Sequence, residues 1–388
     1  MKKNITILFS ILFLFLFNPI SLFSHGYVIW EDEKELKPEY TPGILNKFGL
    51  GIFPPDLAIN HDANFKLIQF NPWYGKAKDL YGFHFGGANA IQGGKYEDGT
   101  DRISNFAGIS FAILANQYGK NTNSFGFTYG ALNYFEGKYT GISFASLNVV
   151  KSDHAGMLTG FAFNQIDADF TGMSISIGNF ISKNFNGIAI SGLVGWIKLD
   201  SEFKGVYVGG ILNTFRGEMK GVLLGGVFNS FLNNFTGLVL GFQNYDGLYL
   251  EKNPRGKISG VVIGLFNDLR DPGVTIGISN IIRGDLSYVS AGGINIIKKD
   301  SSGFNFGVFG NYVGGNNNGT EIGTLGNINM GVSYSFQFGA FNYAEESKGI
   351  QIGLINYTSK KARFQIGLLN IALENPIPVF PFINFSLL

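Results

Sequence analysis

Gly349 to Asn370 reads GIQIGLINYTSKKARFQIGLLN and holds one phrase twice: apolar, polar, apolar, Gly, two apolar residues, Asn. The copies are Ile350-Gln351-Ile352-Gly353-Leu354-Ile355-Asn356 and Phe364-Gln365-Ile366-Gly367-Leu368-Leu369-Asn370. Upstream, the terminal Asn recurs at 89, 116, 133, 148, 164, 179, 213, 229, 244, 267, 280, 295, 311, 327 and 342, mostly at steps of 14 to 16 residues. The long step from 179 to 213 hides one more copy, Gly187 to Gly195, in which Gly replaces Asn. About 18 copies at so regular a period outrank any local propensity and mark a repeat architecture.

Each copy alternates with period two, the signature of a strand. On a straight strand Ile350, Ile352 and Leu354 would share one face, and Gln351, Gly353 and Ile355 the other. The first set is apolar in almost every copy, as in Val206 and Val208 or Phe304 and Phe306, while the second is small or uncharged. Charges collect in links such as TSKKAR (358–363), KSDHA (151–155) and IKLDSEFK (197–204), among turn-forming Asn, Gly, Ser and Asp.

Two all-β architectures use one such phrase per repeat. An outer-membrane barrel needs alternating strands of ~10 residues whose lipid face carries no charge. A β-solenoid stacks like residues in successive coils, its apolar face expected inside and its other face wet. The fixed Asn favours the solenoid, because Asn ladders suit parallel coils. Three features favour the barrel: the charge-free strand cores, the strand length, and the aromatic residues after the Asn (Tyr134, Phe180, Tyr245, Tyr312, Tyr343, Tyr357) at the place of an interfacial girdle. The sequence therefore predicts a repeat-built antiparallel outer-membrane-type β-barrel of about 18 short strands, with a β-solenoid as the alternative.

Residues 1–25 have the Lys2-Lys3 n-region, the apolar run Ile5 to Phe17, Pro19 and small Ser21 and Ser24, which read as a secretory signal peptide. Residues 26–80, charged at 31–40 and punctuated by Pro42, Pro54, Pro55 and Pro72, are expected to form a plug, a cap or first strands. Residues 81–388 are then the β-repeat domain. The chain of 388 residues has 55 Gly, 39 Phe, no Cys, 15% charged residues and a net charge of +1. This balance excludes a disordered chain, a basic nucleic-acid surface, disulfides and thiolate metal sites.

The phrase G-x-Q-I-G-L-x-N, repeated up to a Pro- and Phe-rich tail at 374–388, resembles the leptospiral surface-repeat proteins, most specifically over 349–385. The resemblance implies an exported, envelope-associated surface protein and brings no catalytic residues with it.

The search for chemistry yields no catalytic, cofactor-binding or metal-binding residue, and no cofactor. His25, His61, His84 and His154 lack metal-site spacing; His84 reads as a plain strand histidine and His154 as a solvated loop residue beside Asp153. No phosphate loop or nucleophile elbow stands at a strand-to-helix turn. YEDGTD (96–101) and DAD (167–169) read as solvated loops without the full ligand series of a calcium loop. The expected function is non-enzymatic: a structural, passive-channel or loop-display protein of the outer membrane and cell surface, or alternatively a secreted β-solenoid adhesin or surface-binding module. Its expected partners are outer-membrane lipid and host or envelope surface molecules, with no nucleic acid.

Overall fold

The structure, a computed structural model, describes residues 48–50, 66–77, 79–95, 99–247 and 256–386. These lie in one compact unit, Pro42–Leu388; the expected signal peptide at 1–25 lies outside the described residues. The unit is a parallel β-solenoid of about 18 turns, and the expected antiparallel barrel is not formed. Each copy of the phrase is one coil, paired in parallel with the coils before and after it: Gly353 lies beside Gly367 and Asn356 beside Asn370. Lys66–Ala77 pairs with Leu80–Ile91, and Phe48–Leu50 with Lys66–Ala77, so the stack extends upstream of residue 81. At ~4.8 Å per layer, the stack is about 85 Å tall.

The coil from 202 to 217 shows why no straight barrel strand forms. Glu202–Gly209 and Leu212–Phe215 are separate strands, parted by a bend at Gly210-Ile211. A second bend lies within the first strand, at Gly205, whose φ is 130°. Arg216-Gly217 makes the third and leads into the next coil. Each coil therefore has three sides: 202–204, 206–209 and 212–215. The glycine of the bend stacks on its counterpart in every coil from Gly82 to Gly260, all with φ between 130° and 156°. A Cβ on Gly221 would collide with the carbonyl oxygen of Gly205, so neither the backbone conformation nor the spacing admits another residue.

Inside, like sits on like. The Asn of the third side is buried wherever it occurs, and over most of the stack its carboxamide bonds to the carboxamide in the next coil. From Asn213 to Asn370 the chain of Nδ2-to-Oδ1 bonds is unbroken at 2.8 to 2.9 Å. The second Nδ2 hydrogen goes to a backbone carbonyl of the next coil, as from Asn327 to Phe338 and from Asn356 to Ile366. Towards the N-terminus, serines relay the ladder: Asn133 donates to Ser143, which donates to Asn148. At Gly195, where the Asn is missing, the hydroxyl of Tyr207 fills the space and lies 2.5 Å from Ser191 Oγ, itself the acceptor of Asn179.

Two further interior columns change character along the stack. On the first side, Tyr139, His154, Phe170, Phe185 and Phe203 stack ring on ring at 4.8 to 5.2 Å. The same column later runs through Leu286, Ser301, Asn317, Ser333, Ser347 and Ala362. On the second side, Leu223, Val239 and Val262 give way to Asn305, Glu321, Gln337, Gln351 and Gln365. The first-side column is thus aromatic in the earlier coils, and the second-side column becomes a hydrogen-bonded amide network in the later ones. Val379–Phe385 closes the end by pairing antiparallel to the last coil, and Asn370 Nδ2 donates to Phe380 O at 3.2 Å.

Removing one rung strands the donor above it and the acceptor below. Asn327→Ala is expected to destabilise the fold by about 2–5 kcal/mol, since each orphaned buried polar group costs ~1–3 kcal/mol. The urea midpoint checks this; an unchanged midpoint would mean that the ladder contributes nothing.

Candidate functional site

The outward positions divide into a charged part and an apolar part. The first side carries Glu202, Lys204, Glu218 and Lys220, with Lys220 Nζ 2.6 Å from Glu202 Oε1. The turn after the third side adds Lys151, Asp167, Arg283 and Lys360, paired among neighbouring coils, as Lys360 is with Glu345 at 2.6 Å. The second side is the opposite in kind. Its two outward columns include Ile188 and Ile190, Val206 and Val208, Phe304 and Phe306, Phe336 and Phe338, Ile350 and Ile352. Neither column contains a charged residue between Ile68 and Phe364. Phe338 is 50% exposed although its strand neighbours flank it on both sides.

The expectation for a solenoid is therefore inverted. The apolar set of the phrase points out, and the polar set, with Gln351 and Asn356, points in. The cause is the bend. Alternation breaks at Gly353-Leu354-Ile355, so that Leu354 and Ile355 are both exposed and Asn356 turns inward. The bend column continues the apolar zone through Ile211, Phe242, Leu265, Ile278, Leu325 and Leu368. A groove of about 1240 Å³ runs along it, floored by Gly226, Gly241, Gly264, Gly277 and Gly292. Its walls are Leu240, Ile263, Ile276 and Phe306 on one side and Phe242, Leu265, Ile278 and Phe309 on the other.

The aromatic residues after the Asn lie on the third side, next to the charged turn. Tyr134 donates to Glu136, Tyr343 stacks on Tyr357 at 5.6 Å, and Arg216 lies 5.9 Å from the Trp196 ring. At the other border, between the first and second sides, Lys348 Nζ is 5.3 Å from the ring of Tyr334. Aromatic residues thus lie between charged and apolar surface on the third-side flank, and Tyr334 lies beside a charge on the other.

The two histidines of the repeat are interior residues. His84 is buried on the second side. His154 is not a solvated loop residue; it opens strand His154–Ile166, lies sandwiched between Tyr139 and Phe170, and neither ring nitrogen has a hydrogen-bond partner. Burial pulls its pKa down to about 3. Residues 96–98 of the YEDGTD segment lie outside the described residues. In DAD, burial tends to raise the carboxyl pKa of Asp167, but bonds from Lys151 and Ser182 outweigh it and the net shift is downward; Asp169 caps the Asn184 N–H. Among the described residues no three His, Asp or Glu side chains gather as a metal site.

Two interior acids escaped the sequence reading: Asp246, buried beside Phe231 with its carboxyl pushed up by burial to about 6, and Glu321. Glu321 is fully buried where the Gln column ends, accepting from Gln337 at 2.6 Å, as Gln337 accepts from Gln351 and Gln351 from Gln365 at 2.8 Å. Burial pushes its carboxyl up to about 7, against the hydrogen bonds of Gln337 and Asn317. Aligning Glu321 with Gln337, Gln351 and Gln365 by coil would have revealed it.

Comparison of the chain with protein-family models, with curated proteins and with solved structures finds no match in any of the three.

His154 and Glu321 give opposite pH dependences. His154 stays neutral in the fold where the unfolded chain would bind a proton, so its contribution is full above about 6.5 and is lost as pH falls toward 3. Glu321 stays protonated where the unfolded chain ionises, so its contribution is full below 4.5 and is lost as pH rises through 7. Glu321→Gln, which extends the amide column, is expected to match the parent near pH 4.5 and to exceed it in stability above pH 7. Urea melts at the two pH values test this; an equal difference at both would refute a neutral buried Glu321.

Proposed function

We propose that this chain is an exported, non-catalytic β-solenoid module of the cell envelope, a surface-binding protein whose repeats build one long contact face. The observation that carries the reading is the pair of uncharged apolar columns on the second side, repeated coil after coil, because soluble monomers rarely leave contiguous apolar patches beyond ~300–600 Å². At about 85 Å by roughly 10 Å, this face exceeds that range. Solenoids commonly use such extended faces for binding. The signal-peptide pattern at 1–25 supports export, and the resemblance of the phrase to leptospiral surface-repeat proteins supports a place on the envelope. Nothing in the proposed role calls on a nucleophile, a general base or a cofactor.

The test is localisation. Fractionated cells are expected to hold the protein in the envelope, and protease added to intact cells is expected to degrade it. Recovery in the cytoplasm, or complete protection from external protease, would overturn the reading.

A further inference from the structure

We propose that the surface bound is a lipid bilayer, and that the solenoid lies on it as a monotopic protein, its axis in the membrane plane and the bend between its second and third sides sunk into the hydrocarbon. This rests on the reading of the chain as an envelope protein and names its partner.

Four observations converge on hydrocarbon rather than on another protein. The apolar zone is an edge and not a single plane: it covers the second side, the bend column and the first outward column of the third side, where Phe228, Phe266, Phe341 and Ile355 are exposed. A flat partner would cover one side and leave the others wet, whereas fluid chains close around an edge. In a three-sided coil the charged first side lies opposite that bend, so burying the edge costs no charged group its water.

The backbone within the zone is already satisfied, which lipid demands and water does not. Even at the bends the amides bond between coils: Phe242 N–H to Gly226 O at 3.1 Å, Leu265 N–H to Phe242 O at 3.0 Å, Ile278 N–H to Leu265 O at 2.9 Å, Leu354 N–H to Ala340 O at 2.9 Å. The stack thus meets in one sheet edge the condition that a barrel meets by closure.

Aromatic residues at the edge of the zone mark a waterline. Tyr134, Trp196, Tyr343 and Tyr357 on the third-side flank sit between apolar and charged surface, where amphipathic rings belong at headgroup depth, and on the other flank Tyr334 lies against Lys348. The second side spans about four residues, roughly 13 Å of strand, which is comparable with the ~5–10 Å insertion of amphipathic helices. The groove over Gly241 and Gly264 lies inside the zone and offers lipid chains a place between Leu240 and Phe242.

The experiment is flotation of the purified full chain with phosphatidylcholine vesicles at low and high salt. The protein is expected to float at both, since no ionic contact is invoked. Phe306→Asp with Phe338→Asp, at outward positions, should lower the floated fraction about tenfold or more while leaving the circular dichroism of the fold unchanged. As a second readout, the chain has no Cys, so Leu354→Cys carrying an environment-sensitive bimane label should shift the label's emission to the blue on adding vesicles, and Lys360→Cys with the same label on the charged turn should not.

Failure of the parent to float would overturn the proposal, as would equal flotation of the double variant. A discrete dimer abolished by the same substitutions, without flotation, would assign the face to a second copy. A chain found in the envelope that does not float refutes the lipid inference alone, so the two readings fail separately.

Discussion

Everything in this molecule depends on carboxamides that must sit in register. An Asn side chain buried in one coil can satisfy its donor and acceptor only if the next coil presents the same group at the same place. Asn327 therefore dictates Asn311 above it and Asn342 below it. The period of 14 to 16 residues is the length of chain needed to return to that point. Where the rule lapses, at Gly195, the hydroxyl of Tyr207 fills the space from another side of the coil. The parallel pairing, the three bends and the outward columns follow from the same requirement, because identical coils in register place every other side chain on its counterpart as well.

The ladder also accounts for the unusual distribution of polarity. Amides that bond to one another can fill an interior without leaving polar groups unsatisfied. With Gln337, Gln351, Gln365 and the Asn ladder inside, Ile350, Ile352 and Leu354 are left to face outward. The pH behaviour comes from interior places where the columns depart from type, among them a lone imidazole in an aromatic stack, the Asp246 carboxyl beside Phe231, and the carboxyl at the head of the Gln column.

The repeat, its strand character and its Asn position were legible in the sequence, because period and alternation are local. The architecture was not. Absence of charge from the strand cores satisfies a barrel in lipid and a coil with an apolar exterior equally, and weighing it for the barrel assumed that an exterior must be soluble. The bends were the missing term. Period-two alternation does not show that Gly205 and Gly210 bend the chain, yet they divide the coil into short sides and turn Asn213 inward. His154 misled for a similar reason: Asp153 beside it suggested a loop, and only the coil register places it on Tyr139 and Phe170. The apolar columns were visible as residues, but which way they pointed depended on those bends.

The capping strand Val379–Phe385 and the first coils stand at opposite ends of a stack whose hydrogen bonds run along its axis. Tension applied between the chain ends would load those bonds one layer at a time, as in opening a zipper. Each coil released would add about 50 Å of extended chain at ~3.3–3.6 Å per residue. A stack built this way would meet a pull coil by coil, each step set by the interior of the coil released.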